Sequence, residues 1–166
     1  NNKILKLKDP FYEAFNFILP GYNVRPIEMS GAIGLEQLKK LPQFVKNRRK
    51  NAEIFQNLFK DNSNVIIQKE LGISSWFGFS FIIKDSAKFS RADLIKKFNE
   101  KNVDCRPIVS GDFTKNEVIK YYDYSIFGDL KNSNLVHENG IFIGNHPFDI
   151  SNELNYVKEI FDKLNI

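Results

Sequence analysis

Asn23 and Arg25 are the residues whose placement most invites chemistry. They stand two apart between Gly21 and Pro26. Gly21 permits backbone conformations that other residues resist. Pro26 suits the first turn of a helix, where its missing N–H costs nothing. An Arg fork matches a phosphate or carboxylate, and an Asn amide can donate to a phosphate oxygen. The alternative is that both side chains tie the loop to the helix start. Asp104 and Arg106 form a second pair. Two residues apart on one strand, they share a face. The carboxylate and guanidinium then stand side by side, either as a plain ion pair or as groups that hold hydroxyl and phosphate. Ser110-Gly111-Asp112 ends that strand, in a loop where a ligand could meet backbone. His146 also follows a strand end, where capping its loop is the simpler role. Trp76, Phe77 and Phe79 read as core or interface.

Other chemistries find little support. The sequence has two His and one Cys, Cys105, without a CxxC partner, so it offers no metal cluster. It has no nucleophile elbow, no Walker A loop and no GxGxxG after a strand. The binding residues therefore lack a chemical centre of their own.

The elements around them are those of one domain or of part of a larger protein. The 166 residues are 42% hydrophobic, enough for a core, and sixteen are Phe. The net charge of +4 is spread over many Lys-rich segments with acids interleaved, which argues for a solvated surface over a nucleic-acid face. A lone Cys fits a reducing cytoplasm, and no secretory or membrane-spanning run appears. The chain opens without Met, in a mixed polar and apolar segment that reads either as an artificially chosen boundary or as the tail of a longer protein.

Residues 1–20 read as strand and loop. Residues 26–41 read as a helix whose small residues Ser30, Gly31, Ala32 and Gly34 suit close approach of another backbone. Pro42 should interrupt it and start a second helix, with Phe44, Arg48, Ala52, Phe55, Leu58 and Phe59 as its stripe. Strands are expected at Val65-Ile66-Ile67, Trp76 to Ile83, Val103 to Val109 and Ile141-Phe142-Ile143. Ser90 should cap a helix over Arg91 to Lys101, and Ser151 a final helix with Leu154, Val157, Ile160, Phe161 and Leu164 buried. Short helices are expected around Glu117 to Tyr122 and Asn132 to Glu138.

Gly21-Tyr22-Asn23-Val24-Arg25, followed by Glu28 to Leu38, resembles the GYNxR…AAIGxxQL segment of the DegT/DnrJ/EryC1/StrS family. Phe44 to Ala52 resembles the FxxxRRxNA helix of the same family. Ser74 to Phe81, Cys105 to Phe113 and Gly144-Asn145-His146 are similar to its nucleotide-sugar 3-dehydratase branch. The resemblance implies an α+β chain: the C-terminal small domain of a PLP-dependent transferase (aspartate aminotransferase-like) fold. Long linking helices would pack on a small antiparallel or mixed sheet. Residues 1–25 would end the large cofactor domain, 26–61 would be the linking helices, and 62–166 the small domain. It implies pyridoxal 5'-phosphate or pyridoxamine 5'-phosphate as cofactor and a homodimer with shared sites. It also implies a GDP-linked sugar substrate that loses its C3 hydroxyl in deoxysugar and cell-surface polysaccharide synthesis. Asn23 would reach the cofactor phosphate of the other subunit. Arg25, Asp104, Arg106 and Phe15 would face the substrate, and the Schiff-base Lys, or a His in its place, would lie upstream. A nucleotide-sugar 4-aminotransferase of the same family, or a non-catalytic dimerisation module, would share these features.

Overall fold

The computed structural model describes residues 10–13, 16–21 and 27–164. Its order is α1 (Pro10–Glu13), α2 (Glu28–Phe59), β1 (Val65–Ile67), β2 (Gly78–Ile83), α3 (Arg91–Glu100), α4 (Lys131–Asn139), β3 (Gly140–Gly144) and α5 (Ser151–Leu164). Two 3-10 turns, Phe113–Lys115 and Glu117–Tyr121, precede α4.

The three strands form one antiparallel sheet in the order β1-β2-β3. Val65 pairs with Ile83, and Phe79 and Phe81 pair with Ile143 and Ile141. Side chains alternate across a pleated strand. Phe79, Phe81, Ile83, Val65, Ile141 and Ile143 are all buried. Phe55 of α2 stacks on Phe79 at 4.4 Å and meets Phe81 edge-on at 5.3 Å. Phe161 of α5 meets Phe59 at 5.1 Å and Phe81 at 4.9 Å. Phe55, Phe59, Phe79, Phe81, Phe89, Phe98 and Phe161 are therefore a buried aromatic core against the sheet. Gly78 is required by close approach: a Cβ there would strike the Phe142 ring and lie 2.6 Å from the Ile143 carbonyl oxygen.

Helix α2 runs unbroken for 32 residues with Pro42 inside it. The expected break at Leu41-Pro42 does not occur. Proline removes one rung of the ladder and costs about 3 kcal/mol in a helix interior. Here the Leu38 carbonyl it leaves unpaired lies on an exposed stretch, where water can replace the lost N–H. Both flanks are also helix-forming. The two halves of α2 differ sharply. Asn51, Ala52, Phe55 and Phe59 are buried, whereas Met29, Ile33, Leu35 and Leu38 are each at least 60% exposed. Nothing lies within 4 Å of a Cβ built at Gly31 or Gly34.

Three other expectations need correction. Val103 to Val109 is not a regular strand but a single bridge, Arg106 to Phe142. Pro107 has no N–H to continue the ladder, so pairing stops where it begins. Residues 10–13 are a helical turn rather than strand or loop. Ser151 is the first helical residue of α5 and not its cap; Ile150 precedes it, and the Asp149 Oδ1 accepts the Ser151 N–H at 2.9 Å from just outside the helix. The Ser90 expectation holds: Ser90 and Asp93 form a reciprocal capping box on α3. The early segment docks on the later one. Arg91 donates to the Tyr12 hydroxyl and, at 2.5 Å, to the His137 carbonyl, while the Val118 N–H donates to the Phe17 carbonyl at 2.8 Å.

Candidate functional site

Asp104 and Arg106 open onto one cleft of about 530 Å³ between the outer edge of β3 and the start of α5. The local sequence explains the placement. The Arg106 N–H donates to the Phe142 carbonyl at 3.0 Å, and the Phe142 N–H donates back at 2.8 Å. This one exchange fixes the backbone at Arg106 and leaves both charged side chains at the rim. Among the described residues no ion pair joins Asp104 to Arg106. Of the two alternatives, the plain ion pair is therefore not what the fold makes, and both side chains face a space that a ligand can enter.

The cleft has an aromatic wall. Phe77 and Phe142 stack at 5.6 Å, and the Arg48 guanidinium lies 6.0 Å over the Phe77 ring. Phe77 is 72% exposed, unlike its neighbours Trp76 and Phe79, which are in the core as expected. His146 lines the cleft and stacks on Phe148 at 4.9 Å. Glu153 and Tyr156 of α5, with Asn102 and Asn145, add to the polar lining. The sequence reading assigned them no role at the site. For Glu153 and Tyr156 the signal is their spacing: i and i+3 on α5, each directly before a residue of the apolar stripe, so they share one flank of it, and Leu154 and Val157 line the same cleft. Asn51 and Asn145 were also passed over as functional residues, although both stand inside the quoted motifs.

The charges of the lining limit what it can hold. Arg106 is its single guanidinium against the two carboxylates Asp104 and Glu153. Carboxylates accept hydrogen bonds from hydroxyl and amino groups, and one Arg fork can take a phosphate or a keto oxygen. A diphosphate would need further cations from outside this lining. No lysine lines the cleft, so these residues alone do not fit an aldehyde cofactor. Phe15, Asn23 and Arg25 lie outside the described residues. Ser110 and Gly111 line a separate, smaller cavity beside Tyr12 and His137, and Asp112 lies just past it. Asp112 is buried there, and its Oδ1 accepts from the Thr114 N–H at 3.0 Å and hydroxyl at 2.7 Å.

Two titrating groups flank the cleft. Burial, and secondarily the Asp104 charge, pushes the Cys105 thiol up to about 11. At pH 8 only about one thiol in a thousand is then the reactive thiolate. Ellman's reagent is expected to react with Cys105 far more slowly in the folded protein than after urea unfolding; equal rates would refute the burial. Asp149 is the opposite case. Hydrogen bonds from Ser151, then the Lys50 ammonium at 3.0 Å, hold its carboxyl down at about 2. A depressed folded pKa gives stability that is complete above the ordinary aspartate value of about 4. That stability is lost as pH falls toward 2. Asp149→Asn is therefore expected to lower Tm slightly at neutral pH and to flatten its fall between about pH 4 and pH 2. Parallel Tm-versus-pH curves for the two proteins would contradict the assignment.

The DegT/DnrJ/EryC1/StrS aminotransferase family model matches residues 5–162. The chain belongs to this family. It is 53% identical over 156 residues to a GDP-4-keto-6-deoxy-D-mannose 3-dehydratase of Yersinia pseudotuberculosis, covering 93% of this chain and 40% of that protein. An Escherichia coli GDP-4-keto-6-deoxy-D-mannose-3-dehydratase solved with bound hydrated PLP superimposes with a TM-score of 0.80 at 50% identity, covering 96% of this chain and 41% of that one. A mutant GDP-4-keto-6-deoxymannose-3-dehydratase with bound GDP-perosamine also gives a TM-score of 0.80 at 50% identity, covering 96% and 42%. The chain thus spans about two fifths of the length of the relatives it matches. The family member's α+β architecture is the small antiparallel sheet packed against α2 and α5. No helix among the described residues is long and apolar enough to cross a membrane.

Proposed function

We propose that this chain is the C-terminal part of a PLP- or PMP-dependent nucleotide-sugar 3-dehydratase. The complete protein would remove the C3 hydroxyl of a GDP-4-keto-6-deoxyhexose, in the cytoplasm, to supply deoxysugars for cell-surface polysaccharide. The likeness to two 3-dehydratases at about half identity carries the reading. The cleft agrees with it. Asp104 and Glu153 accept from hydroxyl or amino donors of the substrate, and Arg106 binds an anionic or keto oxygen. Phe77 and Phe142 present an apolar face. The cofactor is assigned to residues beyond the described cleft, with Asn23 on its phosphate from the neighbouring subunit and Arg25 and Phe15 near the substrate. Residues 1–25 would close the large domain, 26–61 would link, and 62–166 would form the small domain. The exposed apolar half of α2 supports a homodimer seam, because large apolar side chains around Gly31 and Gly34 would otherwise face water.

The test is the product. Incubating the complete protein with PLP, glutamate and GDP-4-keto-6-deoxymannose is expected to yield a sugar one oxygen lighter, with hydrogen in place of the C3 hydroxyl. A product that keeps the C3 oxygen and gains an amine at C4 would make it an aminotransferase. No conversion and no cofactor absorbance would leave a dimerisation module.

A further inference from the structure

Two buried amides stand at the inner end of the cleft: Asn51 on α2, behind it, and Asn145 just beyond β3, which is part of its lining; they are exposed 0% and 5%. A buried amide is tolerated when its donors and acceptor are used. Asn51 Nδ2 faces three acceptors: Asn145 Oδ1 at 3.0 Å, the His146 carbonyl at 3.2 Å and the Phe148 carbonyl at 2.8 Å. Asn51 Oδ1 accepts the Ile150 N–H at 3.3 Å. Asn145 Nδ2 donates to the Arg48 carbonyl at 3.0 Å and the Trp76 carbonyl at 2.9 Å, and the Asn145 N–H reaches the Phe77 carbonyl at 3.4 Å. Packing α2 against the sheet requires none of these bonds. Apart from Arg48, every partner lies in 76–77 or 145–150, the two stretches that carry Phe77 and His146 into the cleft.

The first of these stretches is strained. Trp76 has φ +53°, a left-handed conformation that bulky residues avoid. Such strain persists only where the surroundings over-determine it. Ser74 Oγ accepts the Trp76 N–H at 2.9 Å, Asn145 holds its carbonyl, and its indole is buried beside Phe55. The reversal turns Trp76 inward and Phe77 outward, onto Phe142. One turn earlier on α2, Asn47 Nδ2 donates to the Pro147 carbonyl at 2.8 Å and ties the second stretch again.

We propose that Asn51 is a positioning residue for sugar-nucleotide binding, acting through Asn145 and the backbone of 145–150 to set Phe77 and His146 on the two sides of the cleft. The inference rests on the cleft being the substrate site. Asn51→Asp keeps size and shape but turns an amide donor toward the His146 and Phe148 carbonyls into an acceptor. In the complete holoenzyme it is expected to weaken GDP-perosamine binding by about tenfold, because displacements on the order of 1 Å are costly at a site. KM should rise with Kd while kcat at saturation changes less than about twofold. Asn47→Ala is a gentler second variant at a half-buried residue: it loses the bond to Pro147 and the one Asn47 Oδ1 accepts from Gln43 Nε2 at 2.7 Å within α2; it should weaken binding by about threefold, since only the first of these ties the cleft stretch. Phe161→Leu is the structural control: it lowers Tm from a core position outside the cleft and should leave Kd unchanged. If both Asn variants bind as the wild type does, the proposal is overturned. It is equally overturned if Phe161→Leu weakens binding as much at equal loss of Tm. If Asn51→Asp does not fold, Asn47→Ala decides between the two. Failure of the wild type to bind GDP-perosamine would instead remove the functional reading beneath the proposal.

Discussion

If the complete protein turns over the proposed GDP-sugar, Arg106→Ala is expected to raise the KM for it about ten- to a hundredfold, with kcat changed much less. Hydrogen bonds to a charged group contribute about 1.5–3 kcal/mol, and each 1.4 kcal/mol is tenfold in affinity. The effect should be large because Arg106 is the single guanidinium among the residues lining the cleft, opposed by two carboxylates. The backbone should survive the change. The bridge to Phe142 is made by the Arg106 N–H and carbonyl, which alanine retains. Arg106→Lys should recover only part of the loss, since an ammonium cannot reproduce a planar fork. Steady-state kinetics with all three proteins decides it. An unaltered KM would take the substrate out of this cleft.

Phe55→Ala should cost about 3–5 kcal/mol of stability, the range for emptying a buried aromatic site. Phe55 is fully buried and lies within 6.4 Å, centroid to centroid, of Phe59, Trp76, Phe79 and Phe81. It joins α2 to the strand that turns Phe77 outward, so its loss undermines both the core and one wall of the cleft. Urea unfolding monitored by circular dichroism would measure it. A loss below about 1 kcal/mol would mean that the aromatic cluster does not bear on stability.

The elements legible in the sequence were those whose signals are local. Ser90 followed by Asp93 marks a helix start, and Val65-Ile66-Ile67 and Ile141-Phe142-Ile143 mark strands; all three appear where the pattern places them. Pro42 misled because a local rule was outweighed by its context. Pro42 removes one rung of α2 but does not end it, and the stretch around Leu38 is open to water, which can hydrate the carbonyl left unpaired. Val103 to Val109 misled in the other direction: apolar, β-branched residues read as a strand, but Pro107 left room for one bridge. At the site, the spacing of Asp104 and Arg106 put both on one cleft, which period-two geometry foretells. The outward turn of Phe77 was not legible. It depends on a strained Trp76 and on Asn145, sixty-nine residues away in sequence. Glu153 and Tyr156 were hidden for a related reason: which partner faces the polar side of α5 is a tertiary fact.

The central claim is that the cleft between β3 and α5 is where a sugar nucleotide meets this part of the protein. A crystal structure of the complete protein with GDP-perosamine tests it most directly. The account predicts ligand density in the cleft, with the Arg106 guanidinium within about 3.2 Å of a ligand oxygen and a ligand hydroxyl or amino group on Asp104 or Glu153. Density for the ligand elsewhere, with Arg106 and Phe77 facing only solvent, would contradict it.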